Sequence, residues 1–291
     1  MMIRKMIKIA LLALVGITGS RLILAHEHLA AGAQTKSPGS PLLFVNANDY
    51  SAETGYVFGL GAGDSGSPYD GYYYTGDLVF VALAATPDFG GPEAQAAALG
   101  SHIEVVIETV EGPVGAKFGF WETATDEVDS TNLTWSVTVG LTNSTQPIVV
   151  SDTDGAVAAD PYGHKHGRLF SVTQPGFYRL GCRFVDISTH GPGGGPIHTS
   201  SDRFHLNLQA GVTIARLEIG AAGQKITFAG PSNLPDTGVA VATTYQLEST
   251  VILGPTSAWK PVGELVVGDD HLHTVLLPAG AETGYFRLRA Q

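Results

Sequence analysis

The sequence predicts an all-β protein: an immunoglobulin-like β-sandwich followed by a smaller fibronectin-like β-sandwich. Three observations lead there. Apolar residues alternate with polar ones or run as short β-branched and aromatic stretches, and no long helical period competes with them. The chain of 291 residues carries 37 Gly and 16 Pro, which cut it into short segments. Only 15% of residues are charged while 44% are hydrophobic, enough to fill packed cores.

The amino terminus reads as a signal peptide over 1–25. Arg4, Lys5 and Lys8 form a positive region, Ile9 to Ile17 an apolar one, and Ala25 precedes the expected cut, with Ser20 an earlier site. The apolar run is shorter than the roughly 20 residues a membrane span needs. The chain is therefore expected in the periplasm or outside the cell, with no membrane span after cleavage. Residues 26–210 follow as a histidine-bearing sandwich with strands at 42–45, 55–60, 72–84, 102–110, 116–122, 133–139, 168–173, 177–187 and 203–209. A short helix is expected at 92–99, where Pro occupies the first turn and Ala is abundant. Residues 29–41 and 61–71 read as loops. From 211 to 291 the expected strands are 215–219, 225–228, 244–249, 260–266, 273–277 and 285–289. Turn signals such as Gly268-Asp269-Asp270 separate them.

The formal net charge of -11 argues against nucleic acid, which needs clustered Lys and Arg. A single cysteine, Cys182, excludes an intrachain disulfide and a four-cysteine zinc site, and its strand setting predicts a small buried hydrophobe. Enzyme motifs do not emerge. Asp64-Ser65-Gly66-Ser67 lacks the context of a nucleophile elbow. His26-Glu27-His28 lacks the HExxH spacing, and Glu104, Glu108, Glu111 and Glu122 are spread through strands.

Histidine spacing is the most informative feature. His164-Lys165-His166 places two imidazoles at i, i+2, and in an extended backbone such residues point the same way. Gly163 and Gly167 on either side let backbone approach closely. Arg168 continues the same alternating face. A second cluster, His190, His198 and His205, follows across the loop Gly191-Pro192-Gly193-Gly194-Gly195-Pro196. His198 is the preferred third ligand, and Asp186 and Asp202 are candidate ligands or acceptors for imidazole N–H. A third cluster, His26-Glu27-His28, follows the expected cut. Its terminal amine and imidazole would chelate copper, or it would fold back onto His164 and His166 to make a four-nitrogen zinc site. His102, His271 and His273 are weaker candidates.

The stretch His164-Lys165-His166-Gly167-Arg168-Leu169-Phe170-Ser171, running on to Pro175-Gly176-Phe177-Tyr178, resembles a motif of bacterial surface-anchored repeat proteins, the choice-of-anchor M group. It is similar also to exported proteins repressed by the zinc-uptake regulator. The motif maps onto His164, His166, Phe170, Pro175, Gly176 and Tyr178. The resemblance implies a secreted β-domain connected with transition-metal supply, zinc above all. Leu169-Phe170 departs from the aromatic usually found soon after the histidines, and no anchoring tail is read. Tyr245-Gln246-Leu247-Glu248-Ser249, Trp259-Lys260-Pro261-Val262-Gly263 and Tyr285-Phe286-Arg287-Leu288 resemble a carboxy-terminal β-module of large secreted bacterial proteins, which implies an accessory domain.

The expected function is therefore a non-enzymatic, exported metal-binding protein that sequesters, buffers or delivers zinc, with copper the alternative. Its expected ligands are His164, His166 and His198, completed by His26, His28 or His205. Its expected partners are a transition-metal ion and metal-transport or cell-surface proteins. Two other readings stand beside it: an adhesion or surface structural protein, and a copper-dependent oxidative enzyme whose terminal histidine resembles the start of polysaccharide monooxygenases.

Overall fold

The computed structural model describes residues 27–76, 78–86, 95–122, 133–140, 142–232, 243–279 and 284–291. The expected signal peptide and His26 lie outside them. The chain is nearly all β, and the all-β sandwich expectation holds. In chain order the strands are β1 (Glu27–Ala33), β2 (Leu42–Phe44), β3 (Val57–Ala62), β4 (Tyr73–Thr75), β5 (Leu78–Ala82), β6 (Ile103–Glu111), β7 (Lys117–Trp121), β8 (Leu133–Thr138), β9 (Thr142–Val149) and β10 (Gly163–His164). They continue as β11 (Leu169–Val172), β12 (Gly176–Asp186), β13 (Phe204–Ala210), β14 (Ile214–Gly220), β15 (Gly223–Gly230), β16 (Thr244–Thr250), β17 (Lys260–Val267), β18 (His271–Pro278) and β19 (Tyr285–Ala290). No described helix is long and apolar enough to cross a membrane.

Two hydrophobic clusters organise these strands. In the first, a four-stranded sheet ordered β10-β5-β1-β2 faces a nine-stranded sheet ordered β8-β7-β11-β4-β3-β13-β12-β6-β9. Alternation decides the facing side: Leu29, Ala31 and Ala33 of β1 and Leu78, Phe80 and Ala82 of β5 point inward. Phe80 reaches across to Phe170 and Phe184, each with ring centroids 6.1 Å away. The lone thiol of Cys182 is buried here, and burial pushes its pKa up. The second cluster, Ile226, Phe228, Tyr245 and Leu247, lies between sheets β14-β15-β18 and β17-β16-β19. Backbone bonds link the two regions: Val57 N–H donates to Asp270 O (2.7 Å) and Leu272 N–H to Gly55 O (2.9 Å).

One tyrosine fastens a corner of the first sandwich. Tyr178 is fully buried, and its hydroxyl donates to Gln174 O at 2.7 Å, across the Pro175-Gly176 turn. A tyrosine that reaches back over a corner in this way is a hallmark of immunoglobulin-type sandwiches. Burial, only partly offset by that bond, pushes its phenol up to about 12.

Several elements differ from expectation. The strand expected over 72–84 is two strands in two sheets, β4 in the larger and β5 in the smaller. The chain changes sheets after Gly76, where a Cβ would come within 2.9 Å of Leu169 Cδ2. Strands β1, β9 and β10 were not expected, since their small or polar residues carry little strand signal. Residues 92–94 of the helix expected at 92–99 lie outside the described residues, and 96–99 are not helical. A single helical turn, Ala47–Tyr50, forms instead.

Charge ties the larger sheet together. Glu108 on β6 accepts from Arg183 on β12 at 3.0 Å and from Arg203 at 2.5 Å. Burial alone would raise this carboxyl, but hydrogen bonds and charge from Arg203 and Arg183 outweigh it and hold it below its ordinary value. A carboxyl depressed in the fold adds stability above its unfolded pKa of about 4.3. That contribution disappears as pH falls through the folded value. Glu108→Gln is expected to lower Tm at about pH 7, with the gap to the parent closing as the pH is lowered towards about 3. Thermal melts followed across that range check it.

Candidate metal centre

Strand β1 runs parallel to β5, with His28 opposite Val79, and β10 runs antiparallel to β5, with His164 opposite Val81. Val79 and Val81 are two apart and share the face of β5 that Phe80 leaves. His28 and His164 therefore rise on the outer face of the smaller sheet, one on each side of β5. Their rings meet above it. The Nε2 atoms are 3.0 Å apart and the rings stand edge to face at a 4.5 Å centroid distance. Val79, although outward, is only 4% exposed. The ring of His166 lies 4.3 Å from that of His164. His28 and His166 are exposed and His164 is half-buried.

The local chain is held by specific residues. Gly163 lets β10 pass close to its neighbour, since a Cβ there would lie 1.8 Å from Val150 O. Gly167, at φ 75°, turns the chain from the smaller sheet towards β11 in the larger one. Asp152 accepts the backbone N–H of His164 at 3.3 Å. Asp160 accepts the N–H groups of Tyr162 (2.9 Å), Ala85 (3.0 Å) and Thr86 (2.9 Å) and the Thr86 hydroxyl (2.8 Å). Burial would raise Asp160, but these donors outweigh it and hold its carboxyl below the usual range. Arg168 is buried rather than exposed, paired with Glu122 through Nε at 2.8 Å and Nη2 at 2.5 Å.

Two imidazole nitrogens 3.0 Å apart can share one proton as an N–H···N bond, or both can turn lone pairs to one metal ion. On a tetrahedral zinc at about 2.1 Å, neighbouring nitrogens stand about 3.4 Å apart. At the right angles of a tetragonal copper site they stand about 2.9 Å apart. The observed pair needs to move by only a few tenths of an ångström for either. Among the described residues, no group of three or more His, Cys, Asp or Glu is already gathered to hold an ion. The arrangement is a close pair of imidazoles, His28 and His164, with a third, His166, beside it.

The other expected ligands are placed elsewhere. His198 is 2% exposed, its Nε2 accepts the N–H of Ala98 at 2.9 Å and its Nδ1 donates to Ser40 O at 2.9 Å. Both ring nitrogens are engaged, so the expectation that His198 is a ligand is revised: it is a post joining three loops. His205, on β13 of the larger sheet, meets Glu53 Oε1 at 3.3 Å, an atom that Arg179 also holds at 2.9 Å. Asp186 is buried and accepts the backbone N–H groups of His102, Ser188 and His198, not an imidazole proton. His190 borders a separate hollow with Leu99, Val157 and Ile197. His271 and His273 both bond Asp269 at the start of β18.

Asp160 and the Ser40 and Ala98 partners of His198 carry no sequence signal, because each acts through backbone groups distant in sequence. No family model matches the chain, and no curated protein matches it.

His198→Ala would leave the half-buried Ala98 N–H and Ser40 carbonyl without their partner, at about 1–3 kcal/mol. His166→Ala, at an exposed position, is expected to stay within about 0.5 kcal/mol of the parent. Urea denaturation of both variants checks the contrast.

Proposed function

We propose that this is an exported, non-enzymatic protein that sequesters, buffers or delivers a transition-metal ion, zinc first and copper second. The observation that carries the reading is the 3.0 Å approach of His28 Nε2 to His164 Nε2 across β5. His28, His164 and His166 are the proposed ligands, and His26 joins them on sequence grounds as the other half of its i, i+2 pair. Zinc at such a site would act as a closed-shell Lewis acid binding neutral imidazoles, with no redox step. The residues of the chain do the rest. Asp152 and Asp160 fix the backbone around His164, and the register of β1 fixes His28. Two of the three rings face solvent, which favours exchange of the ion over permanent enclosure. The motif resemblance supports a place in metal supply, and the leader-like amino terminus supports the periplasm or the exterior. Metal-transport or cell-surface proteins are the proposed recipients.

Calorimetric titration of the mature protein with zinc and with copper, paired with elemental analysis, tests this. About one ion per chain is expected, with proton release on binding. Bound ion should raise Tm by mass action, about 2.7 kcal/mol at 100 times Kd. His28→Ala and His164→Ala are each expected to lower affinity at least tenfold, and His205→Ala to leave it unchanged. Binding that survives both of the first two variants overturns the assignment. Absence of binding would leave the pair as an N–H···N bond in a structural surface protein.

A further inference from the structure

Among the described residues, strand β14 has one open edge. It ends its sheet, and among the described residues its one sheet neighbour is β15. Leu217 lies opposite Ile226 and Ile219 opposite Gln224, so both share the face that points to the core of the second sandwich. Ile226 on that face is fully buried, yet Leu217 is 49% and Ile219 76% exposed. On the other face Arg216 Nη2 lies 3.2 Å from Glu218 Oε1, and Lys225 Nζ lies 3.3 Å from Glu218 Oε2. An open strand edge with exposed apolar residues is a template for another strand.

The charges identify the strand that fits. We propose that β14 pairs antiparallel with β14 of a second copy of this chain, about a two-fold axis through Leu217. In that register Leu217 meets Leu217 and Arg216 meets Glu218 twice, and the regular ladder ends at the bulge between Ile214 and Arg216. The contact is self-complementary, as a two-fold interface requires. Directly opposed residues of antiparallel strands share a face, so opposite charges attract there and like charges repel. A slide by two residues would set Arg216 against Arg216 or Glu218 against Glu218. A slip by one would set core-face residues against outward ones. Only the Leu217-centred register satisfies both constraints. Pairing would join the two small sheets into one and cover Leu217 and Ile219 on the core side. The inference is independent of the metal reading.

Sedimentation velocity of the mature chain over a concentration series tests it. A monomer–dimer equilibrium is expected. Arg216→Glu should weaken the dimer by about tenfold or more, since it opposes like charges twice. Arg216→Glu with Glu218→Arg should bring it back to within about threefold, because the swap rebuilds both pairs. Ile219→Lys, at a largely exposed position, provides a second disruption, and a melt of each variant checks that it folds. A chain that stays monomeric at about 200 µM overturns the proposal, as does a dimer indifferent to Arg216→Glu or one that the charge swap fails to restore.

Discussion

The parallel pairing of β1 with β5 is the constraint on which the rest depends. Parallel neighbours cannot be joined by a tight turn, so the chain must leave the smaller sheet and return before β5 can lie beside β1. That register turns Leu29, Ala31 and Ala33 inward, where they are fully buried, and leaves His28 outside. A slip by one residue would bury His28 and expose Leu29. The core of the first sandwich and the histidine pair are therefore set by the same register. Since β5 separates β1 from β10, the two imidazoles must reach over Val79 and Val81 to meet.

Much of the fold was legible in the sequence, and the unread parts share a cause. Alternation located β6, β7, β11, β12, β13 and the strands of the second sandwich to within a residue or two. It says which face a residue occupies but not which strand lies beside it. The parallel insertion of β1 was invisible, because Ala30, Gly32 and their neighbours resemble a loop. The sheet changes at Gly76 and Gly167 were read as continuous strand or strand start. The i, i+2 spacing of His164 and His166 did bring their rings together, although only His164 lies in a strand. His198 shows the limit. Its spacing after a Gly/Pro loop suits a ligand, and only the partners of its two ring nitrogens show it to be a structural post.

Electrostatics fits the same account. Every described arginine lies beside a glutamate: Arg168 with Glu122, Arg179 with Glu53, Arg183 and Arg203 with Glu108, Arg216 with Glu218, and Arg287 and Arg289 with Glu248. Among the described residues, each guanidinium therefore has a carboxylate within 4.0 Å. Asp152 and Asp160 near His164 accept backbone N–H groups, and the ligands proposed above are imidazole nitrogens. Nitrogen donors suit zinc and copper better than calcium or magnesium.

X-ray absorption at the zinc edge, on the zinc-loaded mature protein, tests the central claim most directly. The account expects a first shell of nitrogen at about 2.0–2.1 Å with the outer-shell scattering of imidazole rings, and loss of part of that scattering in His164→Ala. A first shell of oxygen without imidazole scattering, or a spectrum unchanged by His164→Ala, would contradict it.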